Sequence, residues 1–303
     1  LTSTFEAVVA SGRFILGDEV SAFEAEMAAT IGAKHAIGVS SGTDALLLAL
    51  MSLGIGVGDE VICPTFTFFA TAGSIWRVGA KPVFVDCAPE SFNLDPAGVR
   101  AAITSKTRAI MPVHLFGQCA PMDEISDIAR RHDLTVIEDA AQAIGAAIDS
   151  RQAGTFGDFG AFSFFPSKNF GGFGDAGLVT TSRDDLAERA RILRVHGGER
   201  RYYHREVGGN FRIDALQAAL LRVKLRHKGT GAEGRRQHAS HYDQALTDAG
   251  ITGPDAPLTL PDRELGEHTF NQYTLTARTP EIRSAVLEEL ASHGIGHAVY
   301  YPV

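Results

Sequence analysis

The stretch Ser163-Phe-Phe-Pro-Ser-Lys168-Asn169-Phe-Gly171-Gly172-Phe-Gly174-Asp175-Ala176-Gly177 delivers one lysine from an apolar, strand-like approach into a glycine-rich turn. Among apolar neighbours such a lysine is desolvated, which disfavours its charged form and frees the amine as a nucleophile. A surface lysine in a mobile loop is the plain alternative, and for this stretch alone it is the better one. The tail from Gly172 to Gly177 also matches G-x-G-x-x-G, but that fingerprint has meaning only after a first strand and at the start of a helix. Residues 178–181 continue as a strand. A nicotinamide oxidoreductase is therefore a poor reading.

Working outward, compact apolar runs at 61–64, 82–86, 109–113 and 135–138 alternate with helical patterns at 44–52, 69–78, 96–103 and 122–132. This alternation predicts βαβ units and an α/β fold with a mainly parallel sheet covered by helices. In such sheets, ligands collect beyond the carboxyl ends of the strands. A second regime begins near Ile213. Residues 214–246 read as helix broken by Lys228-Gly229-Thr230-Gly231, and Gly253, Pro254 and Pro261 mark a loop. Residues 271–277 read as a strand, and 280–293 as an amphipathic helix closed by Gly294. The expected organisation is a large domain over 1–225 and a smaller α+β domain over 226–303.

With 303 residues, 45% of them hydrophobic, the chain has material for a large core. The net charge of -8 argues against nucleic acid as a main partner, since phosphate backbones require clustered Lys and Arg. Cys63, Cys87 and Cys119 lie far apart and read as reduced thiols of a cytoplasmic protein. No apolar run is long enough to span a membrane. The eleven histidines show no metal-like spacing, so no metal is expected.

Three further segments give Lys168 company. Val39-Ser-Ser-Gly42-Thr43-Asp44 resembles a strand end, a tight turn and a helix start, where free N–H groups and the Thr43 hydroxyl suit a phosphate. Ordinary helix capping explains this segment equally well. The strand 136–138 leads into Asp139, with Gln142 three residues on. A carboxylate there can keep a pyridine nitrogen protonated, and Gln142 can bond a ring oxygen; capping of a following helix is the competing explanation. Phe68, just past the strand 61–64, can stack on a planar ring, although an aromatic pair such as Phe68-Phe69 is more often core.

Taken together, these blocks resemble the DegT/DnrJ/StrS type of nucleotide-sugar aminotransferase. The likeness runs from Gly12-Arg-Phe-Ile-Leu-Gly17 through His114-Leu-Phe-Gly117 to Gly209-Asn210-Phe-Arg212-Ile-Asp214 and Tyr301-Pro302. The resemblance implies the fold type I architecture of pyridoxal-phosphate-dependent transferases and a transfer from L-glutamate to a nucleotide-linked keto-sugar. It implies Lys168 as the Schiff-base lysine, Asp139 at the pyridine nitrogen and Gln142 at the ring hydroxyl. Phe68 would stack on the ring, and Gly42, Thr43 and Ser163 would hold the phosphate. Asn210 would reach the phosphate of the neighbouring subunit, so a homodimer with shared active sites is expected. Tyr300 and Tyr301 are candidate substrate contacts, with core packing equally open for both. Arg212 would salt-bridge Asp214 or the neighbouring subunit.

Ser163–Lys168 and the run Arg201-Tyr202-Tyr203-His204 lean towards the 3-keto enzymes over the 4-keto ones. Where the family often has Gly-Asp-Gly-Gly, this chain has Ala176, whose methyl tightens the turn if that position needs φ > 0. Relatives run on past Tyr301-Pro302, so the small domain is expected to be incomplete here. Two alternatives stand beside the aminotransferase: a sugar dehydratase of the same family, in which the resemblance implies histidine replaces the lysine, and a catalytically idle regulatory relative.

Overall fold

Strands covered on both faces are buried along their length, and five runs in this chain are buried over their whole length or nearly so. The computed structural model describes all 303 residues except Arg201, Pro254 and Val303. Seven strands form one sheet: β1 (His35–Val39), β2 (Glu60–Pro64), β3 (Lys81–Val85), β4 (Thr107–Ile110), β5 (Thr135–Asp139), β6 (Phe159–Ser163) and β7 (Gly177–Thr181). Their order is β1-β7-β6-β5-β4-β2-β3. Strands β6, β5, β4, β2 and β3 pair in parallel. Strand β7 is antiparallel to both its neighbours, β6 and β1. The α/β reading holds, with one reversed strand.

The period-2 alternation of strand side chains sorts the core into two sides. Ile37, Val39, Val61, Ala109, Ile137, Phe159 and Val179 join one cluster with the helices α3 (Gly42–Ser52) and α7 (Asp184–Leu193). Their neighbours point the other way. Ala36, Phe162 and Leu178 meet α2 (Asp18–Ile31) and α8 (Ala215–Leu225), while Ile62, Ile110 and Val136 meet α6 (Met122–Arg131). Helix α3 is buried from Ala45 through Leu50, as a helix enclosed on all sides must be. Among the described residues no helix is long and apolar enough to cross a membrane.

Several expectations need correction. The expected strand 109–113 ends at Ile110; Pro112 has no N–H to continue the ladder, and Val113 makes only an isolated bridge to Asp139. The glycine run after Lys228 is not a break. It forms the first turn of α9 (Lys228–Asp248), and the interruption falls at Arg226-His227 instead. The expected strand 271–277 shrinks to Thr276–Ala277, which pairs with Leu258–Thr259. The backbone before it is committed elsewhere: Thr269 N–H bonds Gly117 O at 2.9 Å and Asn271 N–H bonds Phe116 O at 2.8 Å. α10 (Pro280–Ser292) forms and is followed by Gly294 at φ 67, as its sequence predicts; its N-terminus is capped by the Thr279 hydroxyl, and the expected amphipathic face buries no residue. The sequence pattern gives no warning of α1 (Thr2–Ser11) or α2. Pro254, read as a loop marker, and Arg201 lie outside the described residues.

Candidate active site

Parallel strands end together, and this sheet gathers its chemistry at one edge. Register pairs both Val39 of β1 and Ser163 of β6 with Gly177, the first residue of β7. Asp139 closes β5 opposite Ala161 of β6. The edge is tightly built. A Cβ on Gly42 would lie 2.6 Å from the Ser163 Cβ, and one on Gly177 would lie 2.5 Å from the Ser41 carbonyl. Only glycine lets the start of α3 close on Ser163 this way.

Ser41 is the N-cap of α3, accepting the Asp44 N–H at 3.0 Å. The capping explanation is thus correct for Ser41. It leaves the N–H groups of Gly42 and Thr43 without intrahelical partners, beside the Ser163 hydroxyl and at the positive end of the helix. That is a seat for an anion.

Asp139 is buried, with 6% of its surface exposed. Its Oδ2 accepts the Thr71 hydroxyl at 2.8 Å and its Oδ1 the Ala141 N–H at 3.2 Å. No helix follows it: residues 140–145 form turns, so the helix-cap explanation of Asp139 fails. Burial pushes its carboxyl above the usual range, opposed by Thr71, Ala141 and the charge of Lys168. Lys168 is pushed the other way, its ammonium disfavoured by burial and partly restored by Asp139. Among the described residues its amine makes no hydrogen bond or ion pair, and it is its burial that sets it apart from a solvated surface lysine. The loop that carries it is wound tightly, since a Cβ on Gly171 would meet the Pro166 carbonyl oxygen at 2.3 Å.

Gln142 spends its Oε1 on the Phe116 N–H at 2.7 Å, which leaves its amide N–H groups to donate. One is directed at Tyr301, whose hydroxyl burial pushes up to about 12. Tyr301 packs on Phe66 with ring centroids 5.4 Å apart, and Tyr300 on Phe116 at 6.2 Å. Phe68 and Phe69 are 61% and 82% exposed, which excludes the core explanation for this pair. Asn210 is exposed; its backbone bridges Val195, and it makes no hydrogen bond to Lys168, Asp139 or Ser163. Arg212 makes no salt bridge to Asp214 among the described residues. Ala176 does not occupy left-handed backbone; the glycine of that block that does is Gly174, at φ 149.

Two features went unread in the sequence. The first is Thr71 with Thr67, whose hydroxyls lie 2.8 Å apart behind Asp139. The second is the fully buried pair His114–Glu138, Nε2 to Oε2 2.8 Å. Glu138 also accepts the N–H groups of Gly154 at 2.7 Å and Gly157 at 2.6 Å. His114 Nδ1 accepts the Ala120 N–H at 3.0 Å, so its Nε2 carries the proton given to Glu138. His114 stands in the quoted block 114–117 and Glu138 in the strand before Asp139, but only the fold shows that they meet.

A cavity of about 420 Å³ opens elsewhere, against Leu47, Met51, Arg77, Arg189 and Val207, and none of Lys168, Asp139, Gln142 or Ser163 lines it. The described residues contain no group of three or more His, Cys, Asp or Glu able to hold a metal.

The sequence model of the DegT/DnrJ/EryC1/StrS aminotransferase family matches residues 1–303. A pleiotropic regulatory protein of Geobacillus stearothermophilus is 50% identical over 298 residues, covering 98% of this chain and 78% of that protein. The UDP-N-acetyl-3-dehydro-alpha-D-glucosamine 3-aminotransferase of Acidithiobacillus ferrooxidans is 47% identical over 290 residues, covering 96% and 76%. The structure of S. venezuelae DesV in complex with a ketimine intermediate superposes with a TM-score of 0.93 at 42% identity, covering 100% of this chain and 79% of that one.

Proposed function

This chain belongs to the DegT/DnrJ/EryC1/StrS aminotransferase family, and on that premise we propose that it transfers an amino group from L-glutamate to the 3-keto carbon of a nucleotide-linked sugar. The observation that carries this reading is the partly buried, unpartnered amine of Lys168 set against the buried carboxylate of Asp139. The 3-keto assignment is supported by the name of the Acidithiobacillus relative. Arg201, from the run that leaned the same way, lies outside the described residues.

The cofactor is pyridoxal 5′-phosphate, and the residues present fit it. Lys168 offers an amine with no other partner. Gln142 has one amide N–H left to donate, since Phe116 holds its acceptor and Tyr301 takes the other N–H. The start of α3, with Gly42, Thr43 and Ser163, offers an anion seat, and Phe68 offers an exposed ring to stack. Bound there, the cofactor supplies a protonated ring that draws electrons from the reacting carbon. Asp139 provides the negative charge that keeps the ring nitrogen protonated. Lys168 moves the proton: its amine takes it from the donor's α-carbon as base and returns it as acid. The burial that disfavours its ammonium keeps that amine available. The second half-reaction runs the same proton movement towards the sugar, giving ping-pong kinetics. Tyr301, beside Gln142, is placed to meet substrate, and Tyr300 flanks it.

The unit that acts is a homodimer. Asn210 stands at the surface with no hydrogen bond to Lys168, Asp139 or Ser163 of its own chain, which supports a role at the partner's phosphate seat. The large catalytic domain comprises 1–225, and 226–303 belongs to the small one.

The experiment is visible absorption of the protein with pyridoxal phosphate, before and after L-glutamate. A long-wavelength band that bleaches with glutamate, and no such turnover in Lys168→Ala, is the expected result. The name of the Geobacillus relative favours a second reading, a binding or regulatory protein. A wild type without any band at excess cofactor decides for it. The dehydratase alternative loses weight because Lys168 is retained.

A further inference from the structure

Asp139 sits at the end of β5, but its carboxylate is not held by that strand alone. Thr71, in the first turn of α4 (Ala70–Arg77), is fully buried and donates to Oδ2 at 2.8 Å. Behind Thr71 stands the half-buried Thr67, hydroxyl to hydroxyl 2.8 Å. An ionised carboxylate has no proton to give, so Thr71 must donate to it and therefore accept from Thr67. The run Thr67→Thr71→Asp139 is a one-way chain of hydroxyls from the loop surface to the buried acid. Phe68 lies between the two threonines in sequence, so the loop that offers a ring for stacking also grips the carboxylate.

We propose that Thr71, backed by Thr67, is a positioning residue that holds Asp139 ionised and in one rotamer against the cofactor ring nitrogen. This rests on the reading that Asp139 faces that nitrogen. The physical need is plain. A carboxylate in a buried site reverts to its neutral form unless donors or charges hold it ionised. The titratable groups that face Asp139 are Lys168, His114 and Tyr301. Of these Lys168 is given over to the cofactor, and the proton of His114 goes to Glu138. The neutral donors that remain on the carboxylate are the Thr71 hydroxyl and the Ala141 N–H, and only the first is open to substitution of a side chain.

The test compares wild type with Thr71→Val, Thr71→Ser and Thr67→Val, using pyridoxal phosphate itself. Its dissociation constant is measured by equilibrium dialysis, and the visible band is titrated with pH. Thr71→Val is nearly isosteric and removes only the hydroxyl. It is expected to weaken cofactor binding by about tenfold to a hundredfold, the range for a hydrogen bond to a charged group. The spectral titration should also shift, because the band reads the cofactor beside Asp139, and a carboxylate with one donor fewer ionises less readily and supplies less of the charge that sets it. Thr71→Ser restores the hydroxyl and should return both readings close to wild type. Thr67→Val should shift both in the same direction by a smaller factor.

Unchanged binding and titration in Thr71→Val overturn the proposal, as does a serine variant that behaves like the valine one, which would assign Thr71 to packing. If Thr71→Val does not fold, Thr67→Val decides, and wild-type values there overturn the proposal. A wild type that forms no band at all sinks the functional reading instead, so the two failures are distinct.

Discussion

The same substitution, glycine to alanine, should act in opposite directions at two places in this chain. Helix α9 carries Gly229, Gly231 and Gly234, none in left-handed backbone. An added Cβ meets nothing within 4 Å at Gly229 or Gly234, and only the Arg235 guanidinium at 3.8 Å at Gly231. Alanine there loses no contact and gives up less chain entropy on folding. Mid-helix this is worth about 1 kcal/mol per site. Gly229 and Gly231 lie in the first turn, where fraying roughly halves the gain. The triple alanine variant should therefore gain about 2 kcal/mol, or roughly 3 °C in melting temperature for a chain of this size.

At Gly42 the added methyl would lie 2.6 Å from the Ser163 Cβ, about 1 Å inside ordinary contact distance. Both atoms belong to regular elements that cannot move apart cheaply, so overpacking of about 1–3 kcal/mol results. Gly42→Ala should melt several degrees lower and, on the proposed cofactor reading, lose cofactor affinity as well, because the N–H it retains is displaced from the proposed anion seat. The assay is thermal unfolding followed by circular dichroism without cofactor, with amide hydrogen exchange to read α9 directly. A Gly234→Ala protein that melts no higher and exchanges no more slowly in α9 would refute the helix argument. A Gly42→Ala protein equal to wild type would refute the packing argument.

Two further outcomes are expected. Glu138→Ala removes the acceptor for Gly154, Gly157 and His114 inside a dry site, so urea denaturation should show a loss of about 3–5 kcal/mol, or no soluble protein; a loss under about 1 kcal/mol would contradict the pairing. His268 stacks on Phe270 at 4.0 Å, and burial, aided by Arg263, pulls it down from 6.5 to about 4. Between those values the unfolded chain binds a proton that the folded chain refuses. Its contribution is therefore intact above pH 6.5 and falls away as the pH drops towards 4, by about 3 kcal/mol in all. His268→Gln should flatten that part of the stability–pH curve, and an unaltered slope would remove His268 as its source.

Much of the candidate site could be proposed from the sequence because its residues sit at strand ends, where a local pattern suffices. Asp139, Ser163 and the Gly42-Thr43 turn each lie at or within a few residues of the end of an apolar run. The parallel strands were legible for the same reason. What escaped depends on partners distant in sequence. Thr71 acquires meaning only against Asp139, 68 residues later. The reversal of β7 is set by its packing between β1 and β6, and nothing in its own composition marks it. The expected strand 271–277 is lost at its start because the N–H groups of Asn271 and Gln272 go to the Phe116 carbonyl and not to a neighbouring strand. The glycines of α9 misled because propensity yields to context in a long helix.

That diverted segment bears on how chimeras of such enzymes should be cut. Glu267 pairs with Ala147, Thr269 and Asn271 with the loop at Gly117 and Phe116, and Asn169 beside Lys168 donates to the Thr269 carbonyl at 3.0 Å. Residues 267–271 thus travel, in a structural sense, with the first half of the chain. An exchange of the final third between relatives, joined at the bend before α9, would carry these backbone partners away from the loop they were fitted to. A graft that spares 267–271 and replaces only the residues from Gln272 onward keeps the wall behind Asn169 intact while changing the surface around Tyr300.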